Sequence, residues 1–293
     1  MKACLTALYL CVACFLFQAG AAEPTEAQRK RFLETKVKAE KGDAKAQTLL
    51  GIFYQNGDGV PKDDAEAVKW YRKAADQGEA FAQSCLGNMY RKGEGVVKDE
   101  VEAVKWYRKA ADQGDAPAQF ILGVMYQYGQ GVVKDEVEAV KWFRKAADGG
   151  DADAQYILGS MYNDGRGVPK DEAEAAKWYR KAADGGDALA QFYLGRMYAN
   201  GRGVPKDEAE AVKWYRKAAD QGDADAQNNL GFMYGEGNGV VKDEIEGYKW
   251  FLLAGAQGDE DAKEMISEIE REITPAQRAE GQRLAREWKP RKP

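Results

Sequence analysis

The sequence predicts an all-α protein built from six stacked helical hairpins, and three observations carry that prediction. The pair Leu-Gly stands at 50/51, 86/87, 122/123, 158/159, 194/195 and 230/231, and a Trp follows at 70, 106, 142, 178, 214 and 250, both at intervals of 36 residues. Each copy is too short to bury its own apolar face, so it must stack on its neighbours. Every copy also contains two stretches with helical apolar spacing, separated by a glycine-rich turn. Finally, an Asp is followed three residues later by Glu in each copy, at 63/66, 99/102, 135/138, 171/174, 207/210 and 243/246, the pattern of a helix start.

Composition narrows the chemistry. The 293 residues carry a formal charge of -5, which argues against nucleic acid or an anionic bilayer as the main partner. The chain has no His, removing the commonest general base and metal ligand together with every Ser-His or Cys-His arrangement. Of its 4 Cys, Cys4, Cys11 and Cys14 fall in the first 14 residues, and only Cys85 lies beyond. Cys85 takes the helix position filled by Ile121 and Ile157 in the next copies, so we expect a buried thiol.

Residues 1–22, MKACLTALYLCVACFLFQAGAA, have one Lys, an apolar run and small residues at the end, which is the layout of a secretory signal peptide cleaved after Ala21 or Ala22. The run is short for a membrane span, and no membrane insertion is expected after cleavage. Residues 23–42 are expected to form an N-terminal capping helix with Phe32, Leu33 and Val37 as its apolar side, closing at Gly42.

Six repeats follow, at 43–78, 79–114, 115–150, 151–186, 187–222 and 223–258. Helix A of the second repeat starts at Glu79, and the others start at Asp43, Asp115, Asp151, Asp187 and Asp223, acidic residues suited to an N-terminus. A mid-helix Gly costs about 1 kcal/mol relative to Ala. Its return after each of the six leucines implies that two helices approach closely there. Helix A stops at G-x-G-V-x-K-D, where the first Gly suits a left-handed helix end and the second a tight turn. A phosphate loop is excluded because no strand precedes these glycines and no Gly-Lys-Ser/Thr follows. Helix B then carries Ala103, Trp106, Tyr107 and Ala110 on its buried stripe and Lys105, Arg108 and Lys109 outward.

The last repeat departs from this pattern. It has Leu252 and Leu253 where the fifth has Arg216 and Lys217, and Gly247 in place of Ala. Something must cover those leucines, and the candidate is the segment 259–293, a pair of C-terminal capping helices with a basic tail. The first carries Met265, Ile266, Ile269 and Ile273 on one side. The second opens with Thr274-Pro275-Ala276-Gln277, a capping box with Pro in its first turn.

Leu-Gly, Met-Tyr, G-x-G-V-x-K-D, Lys-Trp-Tyr-x-Lys-Ala-Ala and Gly-Asp-x-x-Ala-Gln together resemble the Sel1-like repeat, a likeness that covers roughly residues 42–263. It implies a right-handed α/α superhelical solenoid similar to tetratricopeptide arrays, which generally serves as a protein-binding adaptor. Some secreted, cysteine-rich members carry a β-lactamase annotation, so a hydrolase is the alternative. This chain lacks their regular Cys pairs, and none of Ser84, Ser160 and Ser267 begins a Ser-x-x-Lys. A carrier for peptidoglycan fragments has no positive signal.

A site is expected where the copies differ, because positions that recur hold the stack together. On helix A the variable positions fall on one face, which the inner helices of such a solenoid turn towards its concave groove. The candidate partner-binding residues are Phe81, Asn88, Arg91, Phe120, Val124, Gln127, Tyr156, Asn163, Phe192, Arg196 and Phe232. Aromatic and Arg side chains of this kind dominate binding energy at interfaces. The competing reading is that Phe120, Tyr156 and Phe192 pack between neighbouring helices. We therefore expect an exported, non-catalytic scaffold for a protein or peptide, with no cofactor and no metal.

Overall fold

The structure, a computed structural model, describes residues 24–291, so the expected leader at 1–22 lies outside the described residues. Among them are fifteen helices and no strand. Helix α1 (Glu26–Glu40) precedes the repeats. The A helices are α2 (Ala44–Asn56), α4 (Ala80–Lys92), α6 (Ala116–Tyr128), α8 (Ala152–Asp164), α10 (Ala188–Asn200) and α12 (Ala224–Glu236). The B helices are α3 (Asp64–Asp76), α5 (Glu100–Asp112), α7 (Glu136–Asp148), α9 (Glu172–Asp184), α11 (Glu208–Asp220) and α13 (Glu244–Ala256). Two helices follow the last repeat, α14 (Glu260–Glu272) and α15 (Pro275–Glu287). The described residues pack as two compact units, divided between Trp106 and Tyr107.

The glycines do what their spacing implies, and one set does more. A Cβ on Gly51, Gly123, Gly159, Gly195 or Gly231 would lie 2.6–2.8 Å from the ring of Tyr71, Phe143, Tyr179, Tyr215 or Phe251, so these five A helices lie directly on an aromatic ring of their own B helix. The first loop glycines, such as Gly165 and Gly201, end their helices at φ 71° and 67°. The second do not only turn. A Cβ on Gly95, Gly167 or Gly203 would come within 2.2 Å of the carbonyl oxygen of Asp64, Glu136 or Glu172, in the first turn of the preceding B helix. Backbone meets backbone there, which only Gly allows.

The Asp residues at the B-helix starts cap as expected, accepting from the backbone N–H three residues on at 2.9–3.0 Å. The matching Glu does not return to the Asp N–H. Glu138, Glu174, Glu210 and Glu246 instead accept the indole N–H of the Trp one turn later at 3.0–3.1 Å. The carboxylate thereby satisfies a buried donor and fixes the ring that joins the repeats.

In the first unit, α1 packs through Phe32, Thr35 and Ala39, with Phe32 against the rings of Phe53 and Tyr54. Leu33 and Val37, expected on this apolar side, are 58% and 51% exposed because the i, i+3, i+7 stripe starting at Phe32 leaves them on its flank. Thr25 and Gln28 form a complete capping box. Cys85 is only half-buried beside the core that Tyr71, Leu86 and Met89 build.

In the second unit, α14 and α15 both pack on α13. Met265, Ile266 and Ile269 cover Phe251 and Ala254, while Trp288 meets Trp250 edge-on at 6.3 Å with Leu253 in the same cluster. Leu252 and Leu253 are half-buried, and Leu253 is covered by the segment that the sequence nominated. Thr274 and Gln277 form the expected capping box.

Candidate functional site: the A-helix face

The expected site residues separate by burial. In the first unit Phe81 is 50% exposed at the start of α4, while Asn88 and Arg91 are half-buried, Arg91 donating to Asn88 Oδ1 at 3.0 Å. In the second unit Phe120, Val124, Gln127, Tyr156, Asn163 and Arg196 are half-buried and Phe232 is 37% exposed.

Phe192 corrects the expectation of an open aromatic groove. It is 6% exposed and belongs to the core with Tyr215 and Leu230, so it offers no surface to a guest. Phe120 and Tyr156 show the same tendency in part, lying 5.7 Å from the Phe143 ring and 5.9 Å from the Tyr179 ring. The reason is local. The variable position one turn before the helix-A glycine faces the same B-helix ring that the glycine admits, so an aromatic there folds onto it.

What does gather on the surface of the second unit is a tyrosine and arginine cluster between α8 and α10. Tyr193 stacks on Tyr179 with centroids 5.4 Å apart and planes 11° from parallel, and touches Tyr156 at 5.8 Å. The Arg196 guanidinium lies 5.2 Å from the Tyr193 ring and 5.8 Å from Phe192. Arg202 donates to Glu172 at 2.7 Å, which neutralises it, and reaches Asn163 Oδ1 at 3.5 Å. Arg196 has no carboxylate partner among the described residues. Burial, with Tyr193 next in weight, pushes the Tyr156 hydroxyl up to about 12, so it is a neutral donor at physiological pH. Tyr193 was missed in the sequence because its position reads Leu49, Cys85, Ile121 and Ile157 in earlier copies. A Tyr in a column that is aliphatic in three of the other five copies was the available signal.

The B-helix arginines, expected simply to face outward, also have a structural task. Arg72 lies over Tyr90 and Trp106 in the first unit, and Arg108, Arg144, Arg180 and Arg216 lie over Tyr126/Trp142, Tyr162/Trp178, Tyr198/Trp214 and Tyr234/Trp250 in the second, at 5.1–6.0 Å. Each guanidinium donates to the Tyr hydroxyl of the following repeat. Such cation–π contacts contribute about 0.5–1 kcal/mol each and join successive repeats. These arginines are therefore engaged, and the B helices offer few free cations.

No cluster of three or more His, Cys, Asp or Glu suited to a metal occurs among the described residues, and none of their helices is long and apolar enough to cross a membrane.

The comparisons with known proteins agree with this architecture. The Sel1 repeat model matches at 44–79, 80–115, 116–151, 152–187, 188–223 and 224–259. The chain is similar to c5321 of uropathogenic Escherichia coli, a protective antigen displaying an SLR fold, at 41% identity and a TM-score of 0.78. That similarity covers 87% of this chain and 56% of c5321, so the chain spans little more than half of that relative's length. It is also similar to a Sel1 repeat protein from Oxalobacter formigenes, at 36% identity and a TM-score of 0.60, over 80% of this chain and 97% of the other. No curated protein sequence matches the chain. Six consecutive matches to one repeat model, on hairpins whose glycines, caps and Trp recur in register, place the chain in the Sel1 repeat family.

Proposed function

We propose that this protein is an exported, non-catalytic scaffold that binds a protein or peptide partner along its A helices. Sel1 repeats commonly act as protein-interaction scaffolds, and the leader-like layout of residues 1–22 supports export. The observation that carries the site is Arg196: a half-buried guanidinium lying over the Phe192 and Tyr193 rings, without a carboxylate partner among the described residues. A carboxylate from a partner would complete it, with Tyr156, Asn163 and Tyr193 as flanking contacts. Guanidinium and phenol groups of this kind are frequent centres of binding energy.

The test is photo-crosslinking in the native host from position 124 or 127, read by mass spectrometry, with Arg196→Glu as the control. A discrete crosslinked protein that is lost in Arg196→Glu supports the reading. An unchanged crosslink pattern removes Arg196 from the site, and no crosslink from either position removes the face altogether. The non-catalytic part is tested by nitrocefin, whose turnover by the purified protein would overturn it.

A further inference from the structure

The C-terminal end of the second unit contains a cleft of about 170 Å³ that the repeat pattern does not call for. Its floor and walls are Phe232, Phe251, Met265, Ile269 and Ile273, contributed by α12, α13 and α14 with the residue that follows it. Phe232 stands edge-on to Phe251 at 5.0 Å and remains 37% exposed.

Comparison with the first repeat explains the opening. There, Gln55 receives the Tyr71 hydroxyl at 2.8 Å and donates to Met89 Sδ at 3.4 Å, filling the space between helix B and the next helix A. The equivalents in the sixth repeat, 180 residues on, are Gly235, Phe251 and Ile269. Gly235 has an ordinary helical backbone, and a Cβ placed on it would meet nothing within 4 Å. Gly235 makes no turn, and the close approach of α13 to its backbone falls on Gly247, where a Cβ would lie 3.1 Å from Gly235 N; no side chain on Gly235 itself is excluded, although a helical Gly costs about 1 kcal/mol relative to Ala. What its missing side chain leaves is room.

The rim of the cleft has one sign of charge. Glu236, Glu244, Glu268 and Glu272 surround it against a single Lys242. Lys242 is committed to Glu244 at 3.2 Å, while Glu236, Glu268 and Glu272 have no ion-pair partner among the described residues. Small-molecule pockets typically run to about 300–1,000 Å³, so this cleft suits one large side chain and not a whole ligand. We infer that it is a docking site for a basic segment of a partner protein, which inserts one Leu, Met or Phe side chain between Phe232, Phe251 and Ile269 while flanking Lys or Arg residues meet the glutamates. This site stands independently of the face around Arg196, and neither needs the other.

Fluorescence anisotropy of the full chain tests it with three labelled heptapeptides: a central Leu flanked by Lys, the same with Ser at the centre, and the same with Glu in place of Lys. The Lys-flanked Leu peptide should bind at least about tenfold more tightly than the other two, a difference of about 1.4 kcal/mol, and should weaken as salt rises. Gly235→Gln restores the side chain of the first repeat and should cut that affinity by about tenfold or more, with the urea midpoint unchanged or higher. Glu268→Gln with Glu272→Gln should weaken binding and flatten its salt dependence. Equal binding of the three peptides, no binding of any, or wild-type affinity in Gly235→Gln would each overturn the assignment. The crosslinking result around Arg196 is unaffected by all of these outcomes.

Discussion

The fifth and sixth repeats share one 36-residue register and differ where they meet what comes next. Arg216 of the fifth lies over Tyr234 and Trp250 of the sixth. The sixth has Leu252 at that position, because no seventh Tyr and Trp follow for an arginine to hold. Val212 of the fifth becomes Tyr248, whose ring lies against Gly281 of α15 and whose hydroxyl donates to Glu270 of α14 at 2.5 Å. Ala219 becomes Gly255, which admits Ile266. An internal repeat is thus completed by a copy of itself, through a cation–π contact, and the terminal repeat by unlike helices, through apolar side chains and a buried tyrosine. Capping a stack is a change of chemistry at its last interface.

The largest test of that contrast is at Trp250, which is 1% exposed between the Arg216 guanidinium and Trp288. Trp250→Ala should cost roughly 3–5 kcal/mol in urea denaturation, the range for truncating a buried aromatic. Trp288→Ala removes only the cap's side of the contact from a half-buried position and should cost distinctly less. Equal losses would mean that the cap, and not the repeat interface, carries the stability of this end.

The two kinds of interface also differ in how their tyrosines are held. Burial raises Tyr215 of the fifth repeat to about 12, against a lowering by Arg196, and burial raises Tyr248 of the sixth to about 12 with the Glu270 hydrogen bond adding to it. Both folded values lie above the unfolded value near 10. Below pH 10 both states hold the proton and the stability is complete. Between pH 10 and about 12 the unfolded chain ionises first, so stability falls as pH rises through that window, by at most about 3 kcal/mol for Tyr215. The part of the tyrosinate absorbance that Tyr215→Phe and Tyr248→Phe remove should therefore rise late and together with the loss of helical circular dichroism. If that part instead rises near pH 10 with the helices intact, these hydroxyls are open to solvent.

Much of this was legible in the sequence, and the failures have a common cause. Period, caps and close-approach glycines depend on residues that recur, and recurrence in six copies is visible without a structure. The A-helix face was inferred from variability, and variability is not exposure: Phe192 stands where the first two copies have Thr48 and Ser84, yet it lies buried over the Tyr215 ring. The arginine contacts link residues 18 and 34 positions apart, as in Arg180 with Tyr198 and Trp214, beyond the helical spacings used to assign faces. Their signal was the joint loss, after the sixth repeat, of the Arg and of the Tyr and Trp it would have met. Gly235 was passed over because the chain has 32 glycines and nearly all have a backbone reason.

The smallest effect separates two glycines four residues apart on α12. A Cβ on Gly231 would lie 2.8 Å from the Phe251 ring, whereas one on Gly235 meets nothing. Gly231→Ala must push the ring and α13 away and should cost about 1–3 kcal/mol, as overpacking does. Gly235→Ala adds a methyl to open space and gains helix propensity, so it should raise stability by up to about 1 kcal/mol. Paired urea midpoints measure both. If Gly235→Ala destabilises, the glycine is there for the fold, and the argument that its missing side chain keeps a cleft open for a partner loses its footing. If it stabilises, the chain carries a glycine that weakens its own last helix A where Gln55 in the first repeat joins two helices. Such a sacrifice has a physical rationale only if the space it leaves is used.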